Sequence, residues 1–188
     1  CIRDRTKANE LPKGMFSGAK QLVKAVLPSS IQEVSENCFA GCENLADVTI
    51  PASVTTIKNE AFQGCERLAS ITLPSGLKTI ESEAFEDCKS LVSITLPSGI
   101  NKIAVQAFNN CKALNQINIP NGTKVIGGSA FKDCESLTAI ELPASVEEIE
   151  SAAFESCKNL QRIEMSSVEK IGASAFHNCK SLKTVTLS

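Results

Sequence analysis

Apolar residues in this chain follow neither the period of a helix nor that of a long strand; they come in short bursts that return about every 23 residues. The segment from Pro51 to Leu73 shows one full unit. Its end, Leu68, Ile71 and Leu73 with Ser70 and Thr72 between them, predicts a short strand with one buried face and one exposed face. Proline follows at once, as at Pro74; it has no amide hydrogen for a ladder and should close the strand at a corner. After the corner, Val54 and Ile57 are spaced to turn inward on a second short extended segment. Ala61 and Phe62 then open a compact helical or 3₁₀ turn, where the small Ala permits close approach and the ring fills the centre.

The phenylalanines fix the count. Phe16, Phe39, Phe62, Phe85, Phe108, Phe131, Phe154 and Phe176 are all the Phe residues of the chain, spaced by 23 residues except for a last step of 22. Pro28, Pro51, Pro74, Pro97, Pro120 and Pro143 keep the same period, and the shortened copy around Met165–Val168 lacks its proline. Two residues after each Phe stands Gly18, Gly41, Gly64, Asp87, Asn110, Asp133, Ser156 or Asn178, a set suited to a left-handed tight turn. One such coil cannot dry its own apolar side chains, so the copies must stack in register. With rungs about 4.8 Å apart, eight copies give a rod or shallow arc roughly 38 Å long. The expected architecture is a single repeat solenoid over 1–188, built of β-rich coils with short strands and short helical or 3₁₀ turns. The first copy, with Met15 for Ala and Ala19 for Cys, is suited to an entry cap, and Thr123 stands where an apolar residue is expected. Because the sequence stops at a strand, at Leu187 and Ser188, it is expected to be a segment of a longer protein.

The LxxIxLP strand and the AFxxC turn, at full strength around Phe62, Phe85, Phe108, Phe131 and Phe154, resemble the BspA-like class of leucine-rich repeats. That resemblance implies a leucine-rich-repeat solenoid in a surface or secreted protein, associated with adhesion to host matrix proteins or to other cells. It carries no family-wide set of binding residues.

Composition removes several alternatives. With 19 Lys+Arg against 21 Asp+Glu and neither Trp nor Tyr, the chain offers no basic footprint and no stacking platform for nucleic acid. It has no apolar run long enough for a transmembrane helix and no visible signal peptide. Seven cysteines, Cys42, Cys65, Cys88, Cys111, Cys134, Cys157 and Cys179, lie three residues after a Phe and read as a buried reduced ladder; the paired spacings of metal sites are missing. Neighbouring rungs are close enough that occasional disulfides stay open. Cys38, in an Ala position, reads as packing; Cys1 admits a lipid anchor as a minor alternative. The single His177 falls at a position of varied composition and should face solvent, away from Cys179. Glu81 and Glu83, and Glu147, Glu148 and Glu150, read as a solvated face rather than an acid–base pair. Gly127 and Gly128 lack the Lys of a phosphate loop. No cofactor, metal or catalytic group is expected.

What remains is the outward side of the strands. One row runs Val26, Thr49, Thr72, Thr95, Asn118, Glu141, Glu164, Thr186, and its neighbour runs Lys24, Asp47, Ser70, Ser93, Gln116, Ala139, Arg162, Thr184. A partner meeting this face would touch Thr49, Thr72, Thr95, Asn118, Glu141, Glu164, Ser70, Ser93, Gln116 and Arg162. The expected function is a protein-binding or adhesive scaffold, extracellular or on a cell surface, with a protein ligand from the host matrix or a cell surface. The alternative is a structural spacer presenting another domain with no ligand of its own.

Overall fold

The computed structural model describes residues 10–187, so Cys1 lies outside the described residues. The chain winds as a parallel β-solenoid with two strand walls and a third side made of turns. Strands are numbered in chain order. The first wall holds β1 (Lys24–Val26), β3 (Asp47–Thr49), β6 (Ser93–Ile94), β8 (Gln116–Ile117), β10 (Ala139–Glu141), β12 (Arg162–Met165) and β14 (Thr184–Leu187), with Ser70 bridging to Ser93 in the rung without a full strand. The second holds β2 (Glu33–Val34), β4 (Thr56–Ile57), β5 (Thr79–Ile80), β7 (Lys102–Ile103), β9 (Val125–Ile126), β11 (Glu148–Ile149) and β13 (Lys170–Ile171). Every pairing is parallel and joins equivalent positions of successive copies, such as Ile140 with Ile163 and Ile126 with Ile149. The eight copies of the sequence thus close about seven turns.

The core is the stack itself. Phe39, Phe62, Phe85, Phe108, Phe131 and Phe154 are essentially inaccessible. Each lies flat on the next, with centroids 5.3 to 5.6 Å apart. With the rings nearly parallel, that distance is an offset stack, the arrangement aromatic pairs prefer over a face-to-face sandwich. Burial comes from the neighbouring coil: Ile149 and Ile163 are fully covered, whereas Ile171 and Val185, in the last coil, are 47% and 48% exposed.

The Phe corner differs from the helical or 3₁₀ turn that its sequence suggests. Lys58, Glu60 and Phe62 carbonyls accept the amides of Ala61, Gln63 and Cys65, while the alternate amides of Glu60, Phe62 and Gly64 donate to Ser82, Ala84 and Glu86 of the next coil. A helix would keep every amide within its own segment. Here every second one is handed to the neighbour, so the corner is a chain of β-turns and no helix forms among the described residues. The handover requires left-handed backbone at two places per coil. One is the expected position after the Phe (Gly64, φ 67°; Asp87, φ 58°); the other lies two residues before it, at Asn37, Glu60, Glu83, Gln106, Ser129, Ala152 and Ser174. Positive φ at the third residue of a four-residue turn is the type II arrangement.

The cysteine ladder has a bonding role as well as a packing one. The thiol of each copy donates to the Phe carbonyl of the copy before, as Cys88 does to Phe62 at 3.2 Å, Cys111 to Phe85 at 3.1 Å and Cys134 to Phe108 at 3.2 Å. All the cysteines among the described residues are free, and Cys38 is buried with the rest except for half-buried Cys179. Thr123 keeps its apolar slot because its hydroxyl donates to the Ile100 carbonyl at 3.2 Å, which satisfies the one polar atom it buries. Gly127 answers to space: a Cβ there would stand 2.7 Å from the Ile103 carbonyl oxygen.

Candidate functional site on the first strand wall

All ten residues expected on the outward face are exposed there. They stand in register, with Ser70 beside Ser93, Ser93 beside Gln116 and Glu141 beside Glu164. The wall is not uniform. Its ladder is continuous from β1 to β3, from Ser70 through β6 to β8, and from β10 through β12 to β14, but β3 is not paired with the Ser70 rung and β8 is not paired with β10.

At the second interruption lies a shallow, open concavity of about 800 Å³. Of the ten expected residues it gathers Ser93, Thr95, Gln116, Asn118 and Glu141; Thr49, Ser70, Thr72, Arg162 and Glu164 stand outside it. It adds Asn115, Asn121 and Thr138. Asn115 and Thr138 belong to a third outward row, the residue after the first Leu of each strand motif, which the sequence reading assigned to neither face. That row runs Val23, Ala46, Ala69, Val92, Asn115, Thr138, Gln161, Lys183, and every member is exposed. Its composition mixes apolar and polar residues freely, whereas the core positions are apolar with Thr123 as the exception.

On the paired side of this opening, Asn118 alters the ladder between β6 and β8. In the first two rungs the Leu27 amide donates to the Thr49 carbonyl. In the equivalent place the Leu96 amide donates instead to Asn118 Oδ1 at 2.8 Å, and Asn118 Nδ2 donates to the Leu96 carbonyl at 3.0 Å. A side-chain amide thus replaces a peptide group, satisfying both polar groups of a residue that is only 2% exposed. Next to it Ile117 is partly uncovered, whereas Ile94 and Ile140 in the flanking rungs are buried.

Charge separates this area from the rest of the surface. Elsewhere, Lys and Glu pair from coil to coil, as Lys20 with Glu43 and Lys89 with Glu66, both at 2.6 Å. Lys58 sits between Glu33 and Glu81, and the attraction of Glu81, then of Glu33, holds its ammonium above the usual range. Glu147 pairs with Lys124, and Glu150 with Lys102 at 3.3 Å. These carboxylates therefore serve the solvated surface, and exposed pairs of this kind contribute little individually. On the first wall, among the described residues, such pairs occur only toward the ends, Lys24 with Asp47 at 2.5 Å and Arg162 with Glu141 at 3.8 Å. Between them Ser70, Thr72, Ser93, Thr95, Gln116 and Asn118 are neutral.

The His and Cys near the end of the chain do not converge. His177 is exposed, 3.5 Å from a Glu155 oxygen, while the Cys179 thiol donates to the Phe154 carbonyl. Among the described residues no group of three or more His, Cys, Asp or Glu is placed to hold a metal ion, and no helix is long and apolar enough to cross a membrane.

A parallel solenoid whose coils carry the LxxIxL strand and the Phe–Cys corner defines a leucine-rich-repeat protein. The family model described as the BspA type leucine rich repeat region (6 copies) matches residues 5–115 and 102–188, and the chain belongs to that family. It is similar to the leucine rich repeat protein of T. pallidum, with 35% identity and a TM-score of 0.80 over 86% of this chain and 78% of that one. A leucine-rich repeat protein from Bacteroides ovatus superposes with a TM-score of 0.78 at 26% identity, over 95% of this chain, which spans 58% of that one. A leucine rich cell surface protein from Faecalibacterium prausnitzii shares the fold, with a TM-score of 0.51 at 24% identity over 93% of this chain and 62% of its own. No curated protein matches the sequence.

Proposed function

We propose that the chain is a non-catalytic protein-binding scaffold of an extracellular or cell-surface protein, and that it meets its partner on the first strand wall. The observation that carries this reading is the concavity at the β8–β10 interruption: an uncharged centre lined by Ser93, Thr95, Gln116 and Asn118, bounded by Glu141, on a wall whose ion pairs lie toward its ends. Open and shallow, it suits the surface of a protein better than an enclosed small molecule. The surface location rests on the family, whose members are mostly surface or secreted proteins associated with adhesion.

Surface plasmon resonance against immobilised extracellular-matrix and serum proteins tests it, comparing the unmodified chain with Thr72→Lys and Glu141→Arg. Both positions are exposed and should leave the circular dichroism melt unchanged. Saturable binding that the two substitutions abolish is the expected result. Binding untouched by both would remove this wall from consideration, and a well-folded chain with no partner in the panel would favour a spacer.

A further inference from the structure

The turn after the strand of the fifth copy differs from its counterparts. In the six copies that carry a proline, the two residues after it are Ser29–Ser30, Ala52–Ser53, Ser75–Gly76, Ser98–Gly99, Asn121–Gly122 and Ala144–Ser145. Only Asn121–Gly122 places a carboxamide directly before a glycine, and of these glycines only Gly122 has positive φ, at 105°. Both residues are exposed, and nothing lies within 4 Å of where a Cβ on Gly122 would be. The turn is therefore uncrowded around Gly122. Its amide is held by a side chain rather than by a coil-to-coil ladder: it donates to Ser145 Oγ at 2.9 Å, and that hydroxyl donates to the Thr123 carbonyl at 2.8 Å.

We propose that Asn121–Gly122 is a site of spontaneous covalent modification, with the Ser145 hydroxyl as the clamp that slows it. The Gly122 amide loses its proton to solvent hydroxide, and the nitrogen attacks the Asn121 side-chain carbonyl carbon. A new N–C bond closes a five-membered succinimide, the bond to Nδ2 breaks, and ammonia leaves with a proton from water. Water then opens the ring. Attack at the side-chain carbonyl leaves an ordinary aspartyl residue in place of the asparagine, while attack at the main-chain carbonyl gives an isoaspartyl linkage in which the backbone runs through the side chain. The net change is addition of one water and loss of one ammonia. Either product puts a carboxylate where a neutral amide stood, at a residue lining the strand-wall concavity beside Asn118 and Glu141. The isoaspartyl form also lengthens the turn that leads to buried Thr123. The neutrality of this part of the wall is thus limited in time.

Tryptic mapping of the full chain after incubation at 37 °C and neutral or mildly alkaline pH tests this, because cleavage at Lys112 and Lys124 isolates one peptide with Asn115, Asn118 and Asn121. The expected result is a gain of one mass unit confined to Asn121, with aspartyl and isoaspartyl forms separated by electron-transfer fragmentation. It accumulates faster as pH rises and is abolished in Asn121→Gln. Ser145→Ala removes both hydrogen bonds of that hydroxyl, and loss of the one that holds the Gly122 amide should accelerate it about fivefold. A chain that keeps Asn121 intact while the same peptide, released beforehand, is modified would overturn the proposal. A Ser145→Ala rate equal to that of the unmodified chain would remove the clamp.

Discussion

The Phe corner and the first strand wall repeat with one period and are held to very different standards. At the corner each copy is nearly the copy before it: ring on ring, thiol to carbonyl, two left-handed residues in fixed places. On the wall the outward residues pass from Thr to Asn to Glu, and the ladder itself stops and resumes. A position that contacts its own equivalents above and below cannot change alone, whereas one that contacts water can. Regularity therefore marks what holds the stack together, and irregularity marks the surface free to acquire a specific partner.

The comparison breaks most completely in alkali. Thiols of the unfolded chain ionise near pH 8.5, but burial pushes the Cys38 thiol up to about 12 and also holds those of Cys65, Cys88, Cys111, Cys134 and Cys157 well above the usual range. Below pH 8.5 both states are protonated and the thiols leave stability unchanged. Above it the unfolded chain releases protons that the folded chain keeps, so stability falls as pH rises, by about 1.4 kcal/mol per pH unit for each buried thiol. Urea midpoints measured from pH 8 to 11 should drop steeply, and Cys111→Ala should flatten the slope by one thiol's share. An unchanged slope would show that the ladder does not control this loss.

Phe108→Ala comes next. It removes a ring that is 1% exposed and stacked on both sides, at 5.6 Å from Phe85 and Phe131. The expected cost is about 3–5 kcal/mol, read from thermal or chemical denaturation. Hydrogen exchange should show the loss spreading to both neighbouring coils, since each is half of the other's cover. A smaller change runs the other way. Ala152 holds φ at 56°, which costs a residue with a Cβ about 1–2 kcal/mol, so Ala152→Gly should raise stability by up to about 1 kcal/mol after the entropy of glycine is subtracted.

Ala152 also shows where sequence reading stopped. The left-handed position after the Phe was legible because Gly, Asp and Asn collect there. Its twin before the Phe starts with Gly14 and Asn37 but is then filled by Glu, Gln, Ser and Ala, whose identity says nothing of φ; the inter-coil bond of the following turn goes with the conformation. For the same reason a run of short turns could pass for a helix. The period, the buried ring and the reduced ladder were all readable, because they depend on side chains that repeat. The outward rows of Thr49 and Ser70 were readable from alternation, but the third row was not, since Ala69 and Ser70 both face outward and break it. The concavity depends on the missing β8–β10 ladder, a backbone feature that no repeating side chain encodes.

The smallest expected effect is also the most discriminating. Gln116 lies in the concavity, exposed, in register with Ser93 and beside the amide that carries structure. Asn118 is engaged twice with Leu96, so its removal would disturb the fold and any ligand together. Gln116 presents its amide to solvent from a strand whose backbone pairing does not depend on that side chain. Gln116→Ala should therefore move the denaturation midpoint by no more than about 0.5 kcal/mol, the ordinary range for a surface substitution. If the wall exists for recognition, the same change should still weaken a partner's binding measurably in surface plasmon resonance. A loss of stability well beyond that range would instead make Gln116 part of the scaffold, and would move the boundary between the two regions from the ladder's edge into the middle of the wall.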